Sequence, residues 1–328
     1  MNFISIPKNG SSWRKPLCYE ADATDDSAQE LRIAICLTDT KQVVGRKVLY
    51  GTSHAEFDIA PYLRTMAQAA MFSEQTSIAN SRIASIVSSP SAMRVHVVVN
   101  DVVSESRVFF RESFIVDAGR VLTELPDSRP IALGEVIRLT AVASRNMKIS
   151  VKRFTPTSEE VENLVAMPRS LPQEVIIPTA NYDPTTTRIE VVVWCDAVPV
   201  KTFNYRVVER SASAVRLVWN NSLGGVDSYT FPSSHRVEYK SIVDDVTVGN
   251  MVCSICREAS VLRRVKTLPS SSEMEALAQI VFADTLYREE RGELIPVRLK
   301  TRNVEFDEHD ALHRLSLDIE DSWKGGEL

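Results

Sequence analysis

Short runs of strict apolar alternation, each ended by turn residues, recur along most of this chain and restrict it to a mainly β fold. Leu31, Ile33, Ile35 and Leu37 share one face of a strand at period two, with Arg32, Ala34 and Cys36 between them. Met93, Val95, Val97 and Val99 repeat the pattern. The same reading places strands at 107–114, 135–143, 148–154, 188–194, 202–208, 214–219 and 228–231. Others follow at 251–257, 261–267, 295–300 and 313–319. Many short strands in series argue for β-sandwich-like domains or barrels rather than a parallel α/β sheet.

A few short helices interrupt the strands. Residues 61–72 contain good helix formers, with Pro61 suited to a first turn. Thr157 with Glu160 three residues later reads as a capping box for a helix over 157–167, stopped by Pro168. Ser272 and Glu275 give the same signature for a helix over 272–287, whose Met274, Leu277, Ala278, Val281 and Phe282 form a core-facing stripe. Residues 71–91, rich in Ser and Ala, read as a long loop or short helix over the first domain.

With 328 residues the chain is long enough for two domains. Pro156, Pro168 and Pro172 concentrate where strand alternation gives way to loop signals, which predicts a linker with a short helix at 156–172. An N-terminal sandwich-like domain would then occupy 1–155, and a β-rich domain carrying the 272–287 helix would occupy 173–328. A weak internal repeat is compatible with this division. Residues 32–37 resemble 188–193 and residues 91–95 resemble 213–217, at offsets that require an insertion near 61–72.

Composition narrows the function classes. Hydrophobic residues make up 44% and charged residues 25%, enough for a sizeable core. The net charge of −5 gives no basic footprint for nucleic acid, and Arg263, Arg264 and Lys266 read as the solvated face of a strand. No apolar run reaches the length of a membrane span, and the N-terminus lacks the apolar core and cleavage site of a signal peptide. The five scattered cysteines do not form a disulfide framework. The expectation is cytoplasmic synthesis without a signal peptide.

The search for chemistry assigns no catalytic, cofactor-binding or metal site. Cys253-Ser-Ile-Cys256 has a ligand-like spacing, and His309 with His313 has the spacing of a metal-binding helix. However, 251–257 alternates as a strand, so Cys253 and Cys256 fall on opposite faces. Only 11 glycines are present, and no nucleophile-elbow, metalloprotease or P-loop pattern occurs. The acidic pairs Asp25-Asp26, Glu159-Glu160, Asp244-Asp245 and Glu289-Glu290 read as solvated turn residues rather than a glycosidase pair. The chain is expected not to be an enzyme.

The most distinctive stretch is Arg216-Leu-Val-Trp-Asn-Asn-Ser-Leu-Gly-Gly-Val-Asp-Ser-Tyr-Thr-Phe231, which reads as a hairpin. Leu217 and Trp219 share a face, as do Tyr229 and Phe231, and Gly224 and Gly225 tolerate positive φ at the turn. Displayed at a domain tip, Asn220, Asn221, Gly224, Gly225, Asp227 and Tyr229 would form a contact loop. This string resembles one found in all-β structural proteins of tailed phages and prophages. The run from the 272–287 helix through Ile295-Pro-Val-Arg-Leu to 306–319 is similar to the same group. The resemblance covers roughly the last third of the chain.

It implies a virion component of the tail or baseplate that ends up in a particle, assembles with other subunits as a homo-oligomer, and has no enzymatic role. A carbohydrate- or cell-surface-binding sandwich module, with a glycan as its partner, is the alternative reading.

Overall fold

The computed structural model describes residues 2–23, 30–67, 84–112, 119–143, 145–166, 171–248, 251–306 and 313–324. Strands dominate, as the alternation predicts, and most of their apolar faces meet in three large cores among the described residues.

The first core lies between two antiparallel sheets. One has the order β1 (Asn2–Ser5), β2 (Cys18–Asp22), β5 (His54–Asp58). The other has the order β4 (Val43–Tyr50), β3 (Glu30–Leu37), β7 (Ala92–Val99), β8 (Val102–Val103), with β9 (Arg107–Phe110) also on β7. Leu31, Ile33 and Ile35 of β3 and Val95, Val97 and Val99 of β7 are buried here, the inward half of each alternating run. A helix at 60–67, α1, adds Ala60, Leu63 and Ala67 to this core, with Pro61 in its first turn. The remainder of the helix expected at 61–72 lies outside the described residues.

The second core is a sandwich. One sheet has the order β10 (Arg120–Val121), β12 (Val136–Val142), β15 (Gln173–Pro178), β6 (Ser85–Ser88). The other has the order β11 (Ser128–Ala132), β17 (Val198–Val208), β16 (Arg188–Cys195), β13 (Met147–Phe154), β14 (Glu159–Ala166), with β11 parallel to β17. Two expectations fail here. Residues 157–167 are not helical: β14 pairs with β13 from Phe154↔Glu159 to Met147↔Ala166. The local cause is a turn in which Thr155 Oγ1 accepts the Ser158 N–H at 3.0 Å, and Glu160 then faces Arg153 across the strands at 3.1 Å. The Thr-x-x-Glu signature therefore serves a hairpin.

Nor is 156–172 a linker. β13 also pairs with β16, so a division between 155 and 173 would cut through one sheet. Part of the stretch read as a loop over the first domain, residues 85–88, is a strand of the same sandwich, and 71–83 lie outside the described residues.

The third core fills one face of a seven-stranded sheet. Its order is β19 (Val226–Phe231), β18 (Val215–Asn220), β22 (Leu286–Glu290), β23 (Glu293–Leu299), β24 (Leu315–Lys324), β21 (Met251–Thr267), β20 (Ser233–Val248). The expected helix at 272–287 is shorter. α2 spans Ser271–Ala278, a 3-10 turn follows over Gln279–Phe282, and Leu286 and Tyr287 already belong to β22. Met274 and Leu277 are buried, whereas Phe282 is 70% exposed because the tightened turn rotates it out of the stripe. Glu273, two residues before the expected Glu275, accepts the Ser270 N–H at 2.9 Å and caps the helix. No helix among the described residues is long and apolar enough to cross a membrane.

Candidate functional site

The distinctive stretch forms the hairpin its sequence predicts. β18 and β19 pair from Val215↔Phe231 to Asn220↔Val226, and Tyr229 packs edge-to-face on Phe231 with centroids 5.3 Å apart. In the turn, Asn221 Oδ1 accepts the Leu223 and Gly225 N–H groups at 3.1 and 2.9 Å, and Gly224 takes φ +81°. Gly225 is needed for a different reason. A Cβ there would lie 2.0 Å from the Leu122 carbonyl oxygen of the neighbouring sandwich.

The hairpin is not displayed at a tip. Asn220, Asn221, Asp227 and Tyr229 are each at most 5% exposed, because β19 packs against the second sandwich. Asn221 Nδ2 donates to the Leu122 carbonyl at 2.9 Å and to Asp227 Oδ2 at 2.8 Å. Asp227 also accepts the Glu124 N–H at 3.2 Å and the Thr123 hydroxyl, with the Arg129 guanidinium 3.9 Å away. Val226 N–H donates to Thr140 Oγ1 at 2.9 Å. These side chains are committed within the chain, which corrects the expectation of a contact loop reaching a glycan or a neighbouring subunit.

Beside the hairpin lies a second buried polar cluster that pattern reading passed over. Arg216 Nη1 donates to Thr230 Oγ1 at 2.8 Å and stands 3.4 Å from Glu135 Oε2. Its Nη2 donates to the Val136 carbonyl and to Ser228 Oγ at 2.9 and 2.8 Å. Glu289, read as a solvated turn acid, is buried instead. Its Oε1 accepts the Val136 N–H at 2.9 Å, and Arg138 approaches its other oxygen at 3.6 Å. Burial pushes the Glu289 carboxyl up and the Arg138 guanidinium down, desolvation outweighing the attraction between them. All of β12 and β18 is buried on both faces, so Arg138 and Arg216 occupy positions that alternation assigns to solvent. The signal was Val218, an apolar residue on the supposedly polar face of β18.

The other residues singled out do not converge. Cys253 and Cys256 sit on β21 opposite Val246 and Val243, and His309 lies outside the described residues. His313 is buried with Nε2 3.2 Å from Ser271 Oγ, and its ring packs on Phe306. Among the described residues no three His, Cys, Asp or Glu side chains come together as a metal site. Arg263 and Arg264 pair with Asp321 and Asp318 of β24.

One open feature borders the junction. Tyr229, whose hydroxyl lies 3.3 Å from that of Thr267, lines a cleft of about 510 Å³ between the second and third cores. Lys266 lines the same cleft. Burial pushes the Tyr229 hydroxyl upward.

No family model matches this chain, and no curated protein matches its sequence. Among solved structures it is similar to the crystal structure of a DUF4784 family protein from Bacteroides caccae, with 9% identity and a TM-score of 0.20. The likeness covers 46% of this chain and 50% of that one. The chain thus spans about half the length of that protein. At this score the likeness carries no argument about function.

Proposed function

We propose that this chain is a non-enzymatic structural component of a phage or phage-derived particle, acting through assembly with copies of itself and with other subunits. The observation that carries the reading is the ribbon of β20 and β21. β24 accompanies β21 only from Thr267 to Glu258. Beyond it the pairs Val243↔Cys256 to Val248↔Met251 continue as two strands, with no third strand among the described residues. A two-stranded ribbon is marginal in water by itself, and a partner that covers it or adds a strand supplies what it lacks. The likeness of the 216–231 stretch and the C-terminal run to structural proteins of tailed phages supports the particle setting. The edge strand β14, with Val161 and Val165 exposed, offers a second contact line of the same kind.

The test is oligomeric state. A variant in which residues 243–257 are replaced by Asn-Gly joins Ile242 to Glu258, already a cross-strand pair, through a two-residue turn. Light scattering after size exclusion should give an oligomer for the full chain and a folded monomer for the variant. A full chain that stays monomeric at every concentration, or an oligomer untouched by the deletion, would sink the assignment of the ribbon as the assembly element.

A further inference from the structure

We propose that the cleft between the second and third cores binds an acidic peptide segment of a partner protein. The ends of β11 and β17 form one wall; β19, the start of β20, the end of β21 and the N-terminal turn of α2 form the other. Arg206, Arg210, Lys266 and Arg314 all line it. Among the described residues none of these four is ion-paired, whereas Arg263 and Arg264 nearby on β21 both are. Two carboxylates also line the cleft, Glu209 and Glu273. Glu273 is already engaged, accepting the N–H and the hydroxyl of Ser270 at 2.9 Å each. Four cations therefore face one uncommitted carboxylate, in a chain whose formal net charge is −5. Such a local excess of positive charge, opposite in sign to the whole molecule, attracts an acidic partner and repels a basic one.

The apolar lining selects a peptide over a simple anion. Val208, Ala214, Pro232 and Leu268 stand among the cations, and Leu268 is 66% exposed. A phosphate or sulfate would meet the arginines and leave these carbons in water. A segment alternating carboxylates with apolar residues would satisfy both, and the cleft is within the roughly 300–1,000 Å³ range of ligand pockets. The cleft also lacks the glycine-rich run of backbone N–H groups with which proteins cradle phosphate, since no glycine lines it. This inference is separate from the ribbon: peptide binding is read on the protein in whatever oligomeric state it adopts.

Fluorescence anisotropy of a labelled Leu-Glu-Leu-Asp-Leu-Glu peptide, titrated with the full-length chain at low salt, tests it. Saturable binding is expected, weakened about tenfold or more by Arg210→Glu with Arg314→Glu, and similarly when the peptide's acids are replaced by amides. Both arginines are exposed, so circular dichroism should show an unchanged fold, and Arg210→Gln with Arg314→Gln should give an intermediate loss. The proposal is overturned if the wild-type chain does not bind the peptide or if the charge-reversed chain binds it equally well. It is also overturned if inorganic phosphate displaces the peptide at equal concentration, which would make the cleft a small-anion site.

Discussion

Arg216 and Glu289 face each other across β18 and β22 and grip the same residue of the neighbouring sandwich. Arg216 donates to the Val136 carbonyl at 2.9 Å, while Glu289 accepts the Val136 N–H at 2.9 Å. Both backbone groups of one residue in β12 are thus satisfied by a cross-strand ion pair from another sheet. The second and third cores are held in one relative position by this clasp and by the Asn221–Asp227 turn beside it.

Removing one half of the clasp should be severe. Arg216→Met leaves Glu135 and Glu289 buried with fewer counter-charges and strips Thr230, Ser228 and the Val136 carbonyl of a donor. Breaking a buried pair in this way costs about 3–5 kcal/mol. Urea unfolding should report that loss in its midpoint. A variant as stable as wild type would mean that the clasp does not hold the sandwich and the sheet together.

Gly225→Ala separates a buried strut from a displayed loop. The added methyl would sit 2.0 Å from the Leu122 carbonyl oxygen and 2.8 Å from Leu122 Cβ, so sandwich or hairpin must shift. The expected cost is about 1–3 kcal/mol, as for other overpacked interiors. Thermal unfolding measures it. A loop tip free of neighbours would accept alanine without change, and that result would restore the contact-loop reading.

His54 offers a pH-dependent test in the first core's outer sheet. It faces Asp22 in register across β2 and β5, with Nδ1 2.7 Å from the carboxylate. That hydrogen bond lifts the imidazole above its ordinary 6.5, exposure limiting the opposing effect of desolvation. A raised value means that the folded chain holds the proton more tightly than the unfolded one. The contribution to stability is then complete below pH 6.5 and fades as pH rises through the folded value. Proton NMR of the ring should show the elevated midpoint, and Asp22→Asn should return it toward 6.5. An unchanged midpoint in that variant would dissociate the two residues.

Strands with one wet face were legible in the sequence, because only there does period two separate apolar from polar side chains. Met93 to Val99 follows the rule residue by residue, and Leu31 to Ile35 does so until Cys36, which is buried on the opposite face. β12 and β18 defeat it: both faces are buried, and arginines take the second face in company with Glu289 and Glu135. A buried ion pair has the same one-dimensional signature as two solvated charges, so the clasp was invisible until the strands were placed. The linker at 156–172 failed for a related reason. β14 is an edge strand with Glu159, Glu160 and Asn163 exposed, and the Thr157–Glu160 spacing, which runs from the turn into the strand, imitates a capped helix. The six hairpin residues carry turn and polar types that read the same on a displayed loop as on a buried one. Their burial depended on a sheet more than 80 residues earlier in the chain, as the Val226–Thr140 bond shows.

The cap of α2 was legible in kind and displaced in place, and two substitutions distinguish the positions. Ser272 and Glu275 carry the motif in sequence, yet Glu273 is the side chain that folds back onto the Ser270 N–H and hydroxyl. Glu275 is exposed in the next stretch of the helix. Glu273→Ala should therefore cost about 1 kcal/mol, the usual value of a lost cap. Glu275→Ala should stay within about 0.5 kcal/mol of wild type, like other exposed substitutions. Because Glu273 also lines the cationic cleft, its removal should tighten the acidic peptide's binding while it weakens the fold. Chemical unfolding and anisotropy on the same two variants would read both effects, and equal losses of stability at the two glutamates would return the cap to Ser272.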